Sequence, residues 1–228
     1  MTGFGVWRRP DGSFLKVVCF HVSPQTPPAS RLHRDPRACR SRRSSRNLAG
    51  GCPGKYFRVG ATVGGRHLSV PDHPALKLVT EHFNTLTTGN ELKWGVINPQ
   101  PGEYRFDIPD RFVAFTKKHD IYTIGHVLFW HSQTPDWVFE DAAGNPLSRE
   151  ALLARMRERV QLYADRYGDK VELWDVVNES IESDGTKRRS KFNQILGDEF
   201  EAEAFKMADE IMPKSAFYRV VKLALEAK

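Results

Sequence analysis

Val171-Glu172-Leu173-Trp174-Asp175-Val176-Val177-Asn178-Glu179 is the stretch on which the fold turns. Its centre is almost wholly apolar, as in a strand buried on both faces, and it finishes on two polar residues, Asn178 and Glu179. Upstream, Ile121-Tyr122-Thr123-Ile124-Gly125-His126-Val127-Leu128-Phe129 has the same texture, and shorter β-rich runs lie at Tyr56 to Val63 and Phe83 to Thr88. Helical patterns separate them. Ala75 to Phe83 carries helical spacing, and Ile108, Phe112 and Phe115 mark a second helix. Between the two long strands, Ser148 is an N-cap with Glu150 in the first turn. Leu152, Met156, Val160, Tyr163 and Tyr167 then form one stripe, and Gly168 is a stop signal. Asp198 to Met212 reads as a fourth strong helix. Strands alternating with helices imply an α/β fold of parallel strands and helical crossovers, either a doubly wound sheet or a closed barrel. No Gly-x-Gly-x-x-Gly follows the first strand, which weighs against a dinucleotide-binding version.

The chain has 228 residues and a formal charge of +6, but that charge is unevenly distributed. Residues 1–58 hold 12 Lys/Arg against 2 Asp/Glu, whereas the rest hold 22 against 26. A basic arm therefore precedes an acidic body. Residues 23–54 are crowded with Pro, Ser, Arg and Gly and have few apolar residues to offset the entropy of ordering, so residues 1–55 are expected to be a disordered basic arm and 56–228 the folded domain. Arg-rich tracts can bind phosphate backbones, yet no aromatic interleaving or motif supports nucleic-acid recognition here. Cys19, His21, His33, Cys39 and Cys52 lack zinc-ligand spacing, and the body contains no cysteine. No stretch reaches the length of a membrane-spanning helix, and Leu15 to Val22, broken by Lys16 and His21, does not read as an export signal. The expectation is no metal, no cofactor, no membrane and no nucleic-acid partner; the oligomeric state is left open.

Polar residues at strand ends point to the chemistry. Asn90, His126 and Asn178-Glu179 fall at or near the carboxyl ends of successive strands, where α/β folds place their sites. Glu179 is the first candidate for a general acid, in a cleft whose apolar walls would raise its pKa; the alternative is a carboxylate capping the next helix. Trp94, Trp130 and Trp137 flank these positions, and aromatic faces beside Asn, Gln, His and Lys suit a sugar, although any one such tryptophan is more often core than platform. His126 and His131 lie on a strand and a loop rather than at helical metal-ligand spacing. His126 reads as a neutral hydrogen-bonding residue or as a satisfied core histidine.

In order along the chain, Phe57-Arg58-Val59-Gly60, Asn90-Glu91-Leu92-Lys93-Trp94, the run from Gly125 through Trp137, Trp174 through Glu179, and the loop Asp184-Gly185-Thr186-Lys187-Arg188 with Ser190 resemble glycoside hydrolase family 10, the retaining endo-β-1,4-xylanases. The resemblance covers about residues 56–213. It implies a partial (β/α)8 TIM barrel of about the first four βα units, acting on xylan or a related β-1,4-linked polysaccharide, commonly outside the cell. It also implies roles. Glu179 matches the general acid/base, Asn178 the ligand of the sugar 2-hydroxyl, Asn90 and Lys93 the glycone-side hydroxyl ligands, and His126, Trp130 and Gln133 the lining of the subsite where the bond is cut. Gly89 stands where the family carries a carboxylate before Asn90.

Retaining hydrolysis needs a nucleophilic carboxylate roughly 5–5.5 Å from the acid. In the family this residue lies in an Ile-Thr-Glu-Leu-Asp-like segment on the seventh strand, and these 228 residues contain no such segment. Asp175, on the same strand as Glu179, would be roughly 13 Å from it by strand rise. After Met212-Pro213 the sequence departs from the family's fifth-strand motif and ends in a helix-like tail. The expectation is a xylanase-type chain with little or no hydrolysis of its own. The rival reading is a xylo-oligosaccharide-binding or half-barrel assembly module without turnover.

Overall fold

The computed structural model describes the backbone of residues 4–8, 14–20 and 58–220, with side chains over 58–215. One sheet organises the chain. Its strands are β1 (Phe4–Arg8), β2 (Phe14–Phe20), β3 (Arg58–Val63), β4 (Thr85–Thr88), β5 (Tyr122–Trp130), β6 (Leu173–Asn178) and β7 (Ala216–Val220), and their order in space is their order in sequence. From β3 to β7 every pairing is parallel, while β1 and β2 form an antiparallel pair that joins β3 antiparallel. Helices α1 (Gly65–Leu68), α2 (Pro74–His82), α3 (Trp94–Ile97), α4 (Asp107–Lys118), α5 (Arg149–Tyr167), α6 (Lys191–Leu196) and α7 (Phe200–Ile211) fill the crossovers. Five consecutive parallel strands with helical crossovers are an arc of a (β/α)8 barrel.

The crossover helices form where expected. The Ser148 hydroxyl accepts from Ala151 N (3.2 Å) at the head of α5, and Gly168 takes a positive φ of 41° at its end. The stripe of Leu152, Met156, Val160, Tyr163 and Tyr167 is entirely buried against the sheet. Tyr163 stacks on Trp174 (centroids 5.1 Å, 12°), and Trp174 lies so close to Gly125 that a Cβ there would sit 2.2 Å from its ring. A buried arginine fastens α5 to β5. Arg159 donates from Nε to Leu128 O (2.7 Å) and from Nη2 to Val127 O and Leu92 O (both 3.0 Å).

Residues 4–8 and 14–20 form a paired antiparallel edge to the sheet: Phe14-Leu15-Lys16-Val17-Val18-Cys19-Phe20 is rich in β-branched and aromatic residues. The parallel array also runs past Pro213. Ala216-Phe217-Tyr218-Arg219-Val220 adds a fifth parallel strand beside β6, because its aromatic and β-branched content suits a strand without any motif. The Pro/Arg/Ser-rich stretch of residues 23–54, the cysteine and histidine side chains of the arm, and the tail at 221–228 lie outside the described residues.

Candidate active site

Parallel packing aligns the carboxyl ends of β4, β5 and β6, and the loops leaving them carry the candidate residues. At the end of β6, Asn178 is buried and pairs in register with Trp130, the last residue of β5. The chain then turns at Glu179, which adopts φ 54°, a left-handed conformation costly for a residue with a β-carbon. Arg188 secures this turn by donating from Nε to Glu179 O (2.8 Å), while its Nη1 meets Glu182 at 2.8 Å. In the same loop the Thr186 hydroxyl and N–H donate to Asp184 Oδ1 (2.7 and 2.9 Å). These bonds hold the Asp184 carboxyl below the usual carboxylate range. Glu179 does not cap the following helix; that cap is Ser190, whose hydroxyl accepts from Asn193 N.

The side chains join across three strands. Trp130 Nε1 donates to Glu179 Oε2 (3.1 Å), Lys93 Nζ sits 4.1 Å from the centre of the Trp130 ring, and Lys93 donates to Asn90 Oδ1 (2.8 Å). Asn90, Lys93, Trp130 and Glu179 thus form one connected row, with Lys93 buried and held by both an amide and an aromatic face. Phe129, Val177 and Phe200 supply apolar wall beside Glu179, in a narrow cleft of about 10 Å³ that also takes in Asn178 and Ser180. Arg188 and Asn193 also line a separate open groove of about 770 Å³ along the 182–189 loop and α6.

His126 belongs to a deeper level. Its Nδ1 is 2.8 Å from Asp175 Oδ2, its register partner on β6, and a carboxylate can only accept, so the proton sits on Nδ1 and Nε2 is left for another partner. Gln133 is exposed in the loop after β5 at φ 55°, where its carbonyl accepts from Gly95 N (2.8 Å) and its side chain bonds to nothing among the described residues. The three tryptophans separate. Trp94 turns into the core against Phe129 and Phe192, Trp137 packs beside it, and only Trp130 borders Glu179.

One residue that sequence reasoning left without a place has one. Glu91 spans the ends of β3 and β4, its Oε1 accepting from Gly65 N (2.5 Å) and its Oε2 from Asn90 N (2.8 Å). A Cβ on Gly64 would lie 3.0 Å from the same Oε1. The pair Gly64-Gly65 directly after the first parallel strand was the available signal, since close approach of a side chain to the backbone needs residues without side chains. Among the described residues no three His, Cys, Asp or Glu side chains gather into a metal-binding group, and no helix is long and apolar enough to cross a membrane.

Parallel βα units with polar and aromatic side chains gathered at the carboxyl ends of their strands have the layout of a (β/α)8-barrel enzyme rim. The sequence matches glycosyl hydrolase family 10 over residues 52–219, and the chain belongs to that family. It is 37% identical to endo-1,4-beta-xylanase B of Paenibacillus barcinonensis, over 71% of this chain and 48% of that protein. It is 34% identical to endo-1,4-beta-xylanase A of Xylanibacter ruminicola, over 72% and 45%. Among solved structures, the endo-1,4-beta-xylanase of Caldicellulosiruptor owensensis superposes with a TM-score of 0.70 at 37% identity, covering 76% of this chain and 52% of that one. A mutant of an intracellular xylanase from Thermoanaerobacterium saccharolyticum, solved with xylotetraose, superposes with a TM-score of 0.65 at 33% identity, covering 69% and 51%. The chain spans about half the length of the curated relatives it matches.

Proposed function

We propose that this chain carries the acid/base half of an endo-1,4-β-xylanase site and binds β-1,4-linked xylo-oligosaccharides along the row from Asn90 to Glu179. The observation that carries the reading is the contact between Trp130 Nε1 and Glu179 Oε2. The indole N–H fixes one carboxyl oxygen and leaves Oε1 to carry the proton delivered to the leaving glycosidic oxygen; the same carboxylate afterwards takes a proton from the attacking water. Asn90 and Lys93 offer an amide and an ammonium to glycone hydroxyls, and Asn178 lies beside the acid to engage a 2-hydroxyl. Support also comes from the xylotetraose complex of the Thermoanaerobacterium saccharolyticum relative. The second carboxylate of a retaining pair has no counterpart segment in these 228 residues, so the chain alone binds without cleaving.

Titrating the full chain with xylotetraose while following tryptophan fluorescence tests both halves of the proposal. Saturable quenching that is lost in Trp130→Ala and weakened about tenfold in Asn90→Ala is the expected result, with no release of reducing sugar from xylan. Absence of quenching overturns the binding site. Reducing-sugar release that disappears in Glu179→Gln overturns binding without turnover.

A further inference from the structure

A second concavity lies between α3, the loop that follows it and α5, on a set of residues that shares none of the row from Asn90 to Glu179. Its volume is about 260 Å³, and its walls include Asn98, Tyr104, Trp137, Arg155, Glu158 and Arg159. Two features set it apart from ordinary surface. The first is aromatic. Tyr104 is 52% exposed, the one exposed Phe, Tyr or Trp among the described residues, and its ring stacks on Phe106 (6.0 Å, 13°), over which Arg166 lies at 4.1 Å. An exposed aromatic face backed by a second ring suits the C–H face of a sugar.

The second feature is uncompensated positive charge. Arg155 and Arg159 both line the concavity, and neither forms an ion pair with any described carboxylate. Arg155 donates from Nη1 to the carbonyls of Trp137 and Glu140, leaving its Nε and Nη2 without acceptors among the described residues. Arg159, only 4% exposed, lies between the rings of Trp94 and Tyr163 (4.6 Å to each centre) and donates from Nε and Nη2 alone. Burial lowers the pKa of the Arg159 guanidinium, but an arginine stays protonated, and with only neutral carbonyls and ring faces around it no carboxylate cancels its charge toward the neighbouring space. Glu158, exposed on the same wall, offsets part of that field.

We propose that this concavity is a second binding site, for a pyranose that bears a carboxylate, a uronic acid unit. The sugar ring stacks on Tyr104, and its carboxylate takes the free donors of Arg155, with Arg159 behind it supplying field rather than contact. The planar guanidinium is the side chain suited to hold a carboxylate by two parallel bonds. A neutral sugar would gain only the stacking, and a small anion only the charge, so the site discriminates by requiring both. It needs neither turnover nor the Asn90 row, and it stands or falls separately from the function proposed above.

The test uses the full chain and three probes: sodium glucuronate, xylose and sodium acetate, followed by saturation-transfer NMR and titration. Glucuronate is expected to bind saturably and to be weakened by added salt. Binding should fall about tenfold in Tyr104→Ala and in Arg155→Gln, stay unchanged in Asn90→Ala, and tighten about twofold in Glu158→Gln, where a like charge is removed. Tyr104 and Glu158 are exposed, so their variants report on the site even where Arg155→Gln disturbs folding. Equal binding of glucuronate by the wild type and Tyr104→Ala, xylose or acetate binding as well as glucuronate, or no saturable binding at all would each overturn the assignment. Xylotetraose quenching that persists while glucuronate fails to bind would overturn this site and leave the first intact.

Discussion

The strand-end rim and the outer helical layer are built from the same kinds of side chain and held together in different ways. On the rim, contacts are few and directional, and most are part-buried: Glu91 on two backbone N–H groups, Lys93 between Asn90 and Trp130, Trp130 on Glu179, His126 on Asp175. The outer layer relies on exposed ion pairs, including Arg149 with Glu199 and Glu203 (2.7 and 3.2 Å), Arg157 with Glu210 (2.9 Å), Lys191 with Asp136 (2.7 Å) and Arg166 with Asp110. Charges in water gain little from pairing, whereas a misplaced polar group away from water costs its full desolvation. The acidic body therefore commits most of its carboxylates where each contributes little, and sets a few where position matters. Net charge carries no information about the ligand.

Three substitutions would break or sharpen this contrast. The largest effect is expected beneath the rim, in Gly125→Ala: the new methyl meets the Trp174 ring and forces β5 away from β6, costing about 3 kcal/mol in urea denaturation and misaligning Trp130 with Glu179. Unchanged stability would mean that the strand seam does not set the rim. Next comes Glu91→Gln, which keeps the shape but turns an amide donor toward one of two backbone donors. A loss of about 1–2 kcal/mol is expected, together with weaker xylotetraose quenching, since Asn90 hangs from that carboxylate. Loss of stability without loss of quenching would separate the two.

The smallest effect belongs to the outer layer. Arg166, chiefly through its hydrogen bond and against some desolvation, holds the Asp110 carboxyl below its usual range. A pKa lower in the folded than in the unfolded state gives stability that is complete above the unfolded value of about 3.9 and is lost as pH falls through the folded one. Asp110→Asn should therefore cost about 0.5 kcal/mol at pH 7, with the gap from wild type closing in acid; both side chains are more than a third exposed, which keeps the figure small. A gap that persists at low pH would assign the effect to packing against Tyr167 instead.

Much of this was legible in the sequence because periodicity reports burial. The α5 stripe, its Ser148 cap and the apolar runs of β5 and β6 all carried local signals strong enough to predict alternating strands and helices. The rim residues were legible as polar and aromatic groups at strand ends; the roles that the resemblance implies for them belong to the proposal. What was not legible depends on three-dimensional neighbours. Nothing local says that Trp94, adjacent to Lys93, turns inward while Lys93 stays on the rim, because that choice is made by the rings of Phe129 and Phe192. Glu91 has no periodicity to betray it, and its partner Gly65 N becomes a neighbour only once β3 and β4 pair. β7 was missed for a different reason: a missing motif was read as a missing strand, although strand formation asks only for suitable side chains and an edge to join.

The order of the sheet, in which each strand lies beside its predecessor in the chain, bears on how the protein is made. Every new strand finds its pairing edge already formed by the strand before it, so the sheet can grow by accretion as residues leave the ribosome, with no strand waiting for a distant partner. Contacts of short sequence separation close small loops and form early. Synthesis from the N-terminus would then lay down the rim in sequence, Asn90 and Lys93 first, Trp130 next and Glu179 last, with the acid set only after the surface that receives it exists.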